Sequence, residues 1–152
     1  MSLRYTKYHI LHTSRGFTLI ELLVVISIIG VLIALSVFGL QGARKASRDA
    51  KRKSDIEQIR SGIEIYKSDC DKYPPSLGSS LVGDGSTTSC LVGNTYISST
   101  PIDPLSPTNV YSYYNPTANT YEVCATLEQG GSAVSCNGSC GTAACNYKVT
   151  NP

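Results

Sequence analysis

The sequence predicts an α+β protein. A long N-terminal helix spans a membrane with its first half and packs by its second half on a small antiparallel β-sheet head with disulfide-tied loops. Three observations carry this expectation. Phe17–Leu40 is a 24-residue apolar run with one charge, Glu21. Ile56, Ile59, Ile63, Tyr66 and Cys70 recur at alternating spacings of three and four, one apolar stripe on a helix. Past residue 94, short stretches rich in Tyr, Val and Thr alternate with Pro, Gly and Asn, the pattern of short strands and turns.

The first element is a basic leader, residues 1–16, with Arg4, Lys7 and Arg15 and no acid. The apolar run follows. It exceeds the roughly 18 residues that suffice for a membrane-spanning helix, and it is apolar on every side. A secretory signal would carry its small-residue cleavage site after the apolar stretch. Here Gly16 stands before it, so cutting there leaves the run on the mature chain. Cutting near Ser36–Gly39 would release a soluble head and is the less favoured option. The expected division is a removed leader (1–16), a transmembrane and assembly helix (17–40), an amphipathic continuation (41–73) and a globular head (74–152).

The continuation begins with a basic band. Residues 44–53 hold six bases against Asp49, whereas residues 54–152 hold nine acids against four bases. From Gln41 to Asp71 there is no Pro, and helix formers dominate. Tyr73-Pro74-Pro75 is the expected stop, since Pro lacks an amide donor and blocks the preceding turn. An unbroken helix would be a rod of roughly 80 Å.

The head must cover the isoleucine stripe. Residues 75–152 are rich in Ser, Thr, Gly and Asn and contain only five charged residues. Strands are expected at Thr95–Ser98, Val110–Asn115, Thr120–Leu127 and Asn146–Thr150, with residues 115–119 as the turn of a hairpin. So small a head needs staples. All six cysteines (Cys70, Cys90, Cys124, Cys136, Cys140, Cys145) follow the apolar run. Cys136-x3-Cys140-x4-Cys145 could be read as a thiolate metal cluster. Disulfides are favoured, because the count is even, no His or Lys flanks the cluster, and a tail behind a membrane segment is exported to an oxidising compartment. Cys70–Cys90 is expected to pin the first loop to the helix end, the other four tying the last strands and the C-terminal loop. No metal or cofactor is expected.

Composition narrows the function classes. Both histidines, His9 and His12, lie in the first dozen residues, so nothing later supplies an imidazole for a Ser/His/Asp or Cys/His system or for zinc. An exported enzyme on an anchor is therefore disfavoured, and no catalytic residue is expected.

Glu21 is the informative residue. A carboxylate inside a membrane helix costs about 2.5–3.5 kcal/mol near the bilayer centre. Lying four residues from the start of the run, it either reaches the headgroups or finds a cation. Cleavage after Gly16 would create such a cation, the α-amine of Phe17.

Arg15-Gly16-Phe17-Thr18-Leu19-Ile20-Glu21-Leu22, heading an apolar run, resembles the N-terminal signature of type IV pilins and the pseudopilins of type II secretion. The Tyr73-Pro74 helix end, Pro101–Pro104, Tyr111–Tyr114 and Tyr121–Glu128 resemble the family's head more loosely. The resemblance implies cleavage after Gly16 by a prepilin peptidase, N-methylation of Phe17, and assembly in which Glu21 pairs with the Phe17 amine of a neighbour. It implies a structural subunit of a pilus-like filament, or alternatively a type II secretion pseudopilin or a minor, tip-located adhesive or DNA-uptake pilin. The partners it implies are copies of itself, other pilins, the peptidase, the inner-membrane assembly machinery and, before assembly, lipid. The expected location is the inner membrane, single-pass with the head outside, then an extracellular pilus or a periplasm-spanning pseudopilus. The adhesive variant would use the loop 128–145.

Two features depart from that pattern. No Pro interrupts residues 17–73, although Gly30 and Gly39 weaken the helix. The band at 44–53 outweighs the leader in positive charge, which opposes an exported head; the cysteines and processing motif are taken to prevail. Small residues at Gly39, Ala43 and Ser47 permit close helix approach. The basic band is read first as a solvated face, with anionic lipid, nucleic acid or a neighbouring subunit as alternatives; the head is too acidic for DNA to be an expected partner. Asp69, Asp71 and Asp84 lack calcium-loop spacing, and Asn137-Gly138-Ser139 is a weak glycosylation pattern.

Overall fold

The computed structural model describes residues 16–152 and divides into two compact units, one ending at Leu40 and one running Gln41–Pro152. Leader residues 1–15, with Arg4, Lys7, Arg15 and both histidines, lie outside the described residues. The elements are α1 (Leu19–Cys70), β1 (Leu81–Val82), β2 (Thr95–Ile97), β3 (Ser112–Thr117), β4 (Thr120–Ala125) and β5 (Tyr147–Thr150). The protein is α+β.

In the first unit, α1 opens on a cap. Thr18 Oγ1 accepts the Glu21 amide at 3.3 Å, and Glu21 Oε2 accepts the Thr18 amide at 2.8 Å. This is the reciprocal Thr-x-x-Glu box that satisfies two orphan donors of a helix start. Ser27 and Ser36 turn their hydroxyls onto the carbonyls of Leu23 and Leu32, each at 2.8 Å. Such internal bonding is what a helix in hydrocarbon needs.

In the second unit, α1 ends at Cys70, three residues before Tyr73. Asp71 adopts φ 58° and its amide still bonds the Lys67 carbonyl at 3.0 Å. A left-handed residue of this kind closes a helix, and Asp is among the few non-glycines that tolerate it. The prolines therefore come after the stop instead of causing it. Tyr113 Oη donates to the Pro74 carbonyl at 2.6 Å and Asn115 Nδ2 at 2.8 Å, which anchors the diproline to β3.

The isoleucine stripe is the core. Ile56, Ile59, Ile63, Tyr66 and Cys70 are at most 2% exposed and pack with Tyr121, Val123 and Ala125 of β4, with Leu81 and with Ile97. Gly62 allows the close approach of β2, because a Cβ there would strike the Ile97 side chain and meet the Tyr96 carbonyl.

The strands form two sheets, where the sequence suggested one. The pair β1–β2 stands apart from the antiparallel order β3-β4-β5. β1, two residues long, has no periodicity to betray it. β3 starts and ends two residues later than expected. Asn115 and Pro116 lie within it at an irregularity between Tyr114 and Thr117, so the turn tightens to Ala118-Asn119. Proline is accommodated in a strand at such an irregularity.

Central β4 is buried on both faces. Tyr121, Val123 and Ala125 face α1, while Cys124 belongs to a second small core with Cys140 and Cys145, flanked by Val134 and Cys136. Disulfides join Cys70 to Cys90, Cys124 to Cys136 and Cys140 to Cys145. Cys136 and Cys140 thus have different partners, and the thiolate-cluster alternative falls.

The basic band is not a uniformly solvated face. Arg52 is fully buried. Its Nε and Nη2 grip the two oxygens of Asp103 at 2.7 and 3.1 Å, and its Nη1 reaches Asp49 at 2.7 Å and Glu128 at 3.0 Å. Arg48 holds Glu128 with a second fork, both bonds 2.6 Å. Asp49 also accepts the amides of Glu128 and Gln129, each at 2.8 Å. Arg48 and Arg52 are therefore partnered by carboxylates of the head instead of lying free on its surface. No buried side-chain nitrogen or oxygen among the described residues lacks a hydrogen bond.

This network gives the head a defined acid limit. The Arg48 fork holds the Glu128 carboxyl down at about 2, with Arg52 adding to it against the opposing effect of burial. An unfolded Glu titrates at about 4.3. A depressed carboxyl contributes stability that is complete above the unfolded value and disappears as pH falls through the folded one. Urea midpoints of the head should therefore be level from about pH 7 to 5 as regards Glu128, then fall between roughly pH 4.5 and 2. Arg48→Gln should flatten that fall. An unchanged slope in the variant would remove Glu128 as its source.

Candidate functional site

The candidate site is the start of α1. Gly16 and Phe17 are both exposed, Phe17 at 85%, immediately ahead of the cap. Phe17 and, on α1, Ile20, Glu21, Val24 and Val25 line one face, the four helical residues falling on one side by their spacing of four. Beyond them the described large apolar side chains of this stretch, from Leu22 to Val37 and at Leu40, stay 48% exposed or more. Nothing among the described residues covers this surface, and a contiguous apolar surface of this size marks a site of interaction.

Glu21 is the only formal charge of the described first unit. Both contacts from Thr18, from its amide at 2.8 Å and from its hydroxyl at 2.7 Å, fall on Oε2. Oε1 has no hydrogen-bond partner among the described residues. The carboxylate is thus oriented by one oxygen and free to accept a donor on the other. The cap role of Thr18 was missed in the sequence, although Thr-x-x-Glu before an apolar run is its legible signal.

Other candidate residues are engaged elsewhere. Asp84 pairs with Lys72 at 2.7 Å and accepts the Ser86 amide at 2.9 Å, while Asp69 accepts from Tyr96 Oη at 3.0 Å. Asp69, Asp71 and Asp84 are not gathered as a calcium site among the described residues. Cys70, Asp84 and Cys90 do place their ligand atoms within 4.8 Å of one another. The two sulfurs, however, are joined as a disulfide and supply no thiolate.

The acids of the head are likewise tied to bases. Asp103 holds Arg52, Glu122 lies 3.4 Å from Lys148, and Glu128 holds Arg48. The loop 128–145 lies over β4 with Cys140 and Cys145 buried, and Asn137 donates its amide to Glu122. This loop serves as a cover for the sheet. Gly39 and Gly42 have open space where a Cβ would be.

Comparison with known proteins adds two matches. Residues 11–37 match the prokaryotic N-terminal methylation motif, and residues 40–137 match type II secretion system (T2SS), protein G. The type II secretion system core protein G of Escherichia coli (strain K12) is 37% identical over 107 residues, covering 67% of this chain and 72% of that protein. The protein of the same name from Pseudomonas aeruginosa is 31% identical over 130 residues, covering 77% and 87%. The one from Pectobacterium carotovorum subsp. carotovorum is 43% identical over 63 residues, and the chain spans only 40% of its length. No solved structure matches the chain.

Proposed function

Because the chain belongs to the type II secretion system protein G family, a family of structural subunits, we propose that it is a pseudopilin that assembles with copies of itself and related subunits into a periplasmic pseudopilus. The family match falls on the pseudopilin branch of the filament reading. The observation that carries the mechanism is the Glu21 carboxylate, exposed at the head of an uncovered apolar helix with Oε1 open.

A prepilin peptidase removes residues 1–16 by cutting after Gly16 and methylates the new amine of Phe17. Until assembly, residues 17–40 sit in the inner membrane as a single span with residues 41–73 and the head 74–152 on the periplasmic side. During assembly the Phe17 amine of one subunit approaches Glu21 of its neighbour. In a layer of low dielectric, an amine and a carboxylate are each costly alone and strongly attracted together. The pairing therefore sets the axial register of neighbouring helices, while apolar packing supplies the contact area.

Intact-mass analysis of the native protein tests the processing step. The expected chain starts at N-methyl-Phe17. A native chain that still begins at Met1 overturns the proposal.

A further inference from the structure

Arg44, Arg48 and Arg52 form an i, i+4, i+8 row on α1. The last two are taken up by Asp49, Asp103 and Glu128. Arg44 and the adjacent Lys45 are exposed and have no ion-pair partner among the described residues. The same band supplies two further exposed bases, Lys51 and Lys53. Lys51 is paired with Asp55 at 2.8 Å, and Lys53 lies 6.0 Å from the Tyr147 ring.

We propose that Arg44 and Lys45 form a binding site for the phosphate of anionic phospholipid headgroups. This rests on reading residues 17–40 as the bilayer span. Glu21 to Gln41 is twenty residue steps, or about 30 Å of helix, the thickness of the hydrocarbon core. The headgroup layer adds roughly 5–8 Å on each side. Arg44 and Lys45 lie about 6 and 8 Å of helical rise past Leu40, inside that layer, whereas Lys51 and Lys53 lie about 16 and 20 Å past it. The exposed cations at headgroup depth are thus Arg44 and Lys45, and neither has a carboxylate partner among the described residues. An anionic membrane surface complements them in charge and is continuous with the surface that covers the apolar run. Arginine contributes a planar fork matched to phosphate oxygens, and lysine a point charge beside it. The site would hold the subunit at the membrane surface until the pull of assembly removes it.

The test uses the full mature chain in detergent micelles, with native mass spectrometry counting retained dioleoyl phosphatidylglycerol against dioleoyl phosphatidylcholine. Surface bases contribute roughly fivefold each, so a preference of about 25-fold for the anionic lipid is expected. R44Q/K45Q should abolish it without moving the thermal midpoint of the head, and K51Q/K53Q should leave it intact. Equal retention of both lipids, or a preference that survives R44Q/K45Q, overturns the site. Binding of a DNA duplex lost in R44Q/K45Q, with no lipid preference, assigns the bases to nucleic acid and also overturns it. A chain that fails to insert into phosphatidylglycerol/phosphatidylcholine vesicles defeats the spanning assignment itself, an outcome distinct from the others.

Discussion

Glu21→Gln is expected to be processed and to remain in the membrane, yet to yield at least about tenfold less assembled filament. Gln is as competent as Glu at the third position of the capping box, so this variant keeps the Thr18 partnership and nearly the same shape while removing the charge. Glu21→Ala removes both. If the charge is what matters, the two variants fail alike. On the proposed pairing, the magnitude follows from leaving the neighbour's Phe17 amine without its counterion in a layer of low dielectric, where loss of one partner of a charged pair costs several kcal/mol, about 3–5 in buried settings. Filament yield is read from sheared or overexpressed fibres, and processing from the mass of the membrane fraction. Full assembly by Glu21→Gln would reduce Glu21 to a helix cap and end its role as a counterion.

Arg52→Ala should be the most damaging single change in the head. The guanidinium is fully buried and bonds Asp49, Asp103 and Glu128. Removing it leaves the Asp103 carboxylate, itself fully buried, with only the Leu105 amide at 2.7 Å. Breaking such a network by one partner costs about 3–5 kcal/mol, a large share of the 5–15 kcal/mol that typically holds a domain together. Arg52→Lys should recover only part of this, because a single ammonium cannot span both oxygens of Asp103 and also reach Asp49 and Glu128. Lys53→Gln, one residue on but exposed, should stay within about 0.5 kcal/mol of the parent. Urea denaturation of the full chain in micelles, followed by the near-ultraviolet signal of the head tyrosines, measures all three. Equal midpoints for Arg52→Ala and Lys53→Gln would mean that the network contributes nothing net.

These two residues mark different kinds of legibility. Glu21 was visible at once, because a lone charge in an apolar run is costly wherever the run is placed. Its cap with Thr18 was equally local and could have been read from the four-residue spacing. Arg52 was invisible as a core residue. Its composition said surface, and its partner Asp103 lies 51 residues away in a Pro-rich loop with no periodicity. Strand ends drifted by a few residues for a related reason: β3 runs through Asn115-Pro116, a turn signal overridden by pairing across to β4.

By itself the sequence determined the apolar helix, the isoleucine stripe and the N-terminal methylation motif that contains Gly16, Phe17 and Glu21. Each rests on hydropathy, helical period or adjacent residues, and all of these act over a few positions. The sequence also led to the expected Cys70–Cys90 bond, but only the tertiary structure decided how the other four cysteines pair, that the strands split into two sheets, and that the basic band divides into buried arginines and exposed cations. Those outcomes depend on which distant segments come within a few ångströms, where a hydrogen bond or an ion pair is strong enough to offset the loss of water.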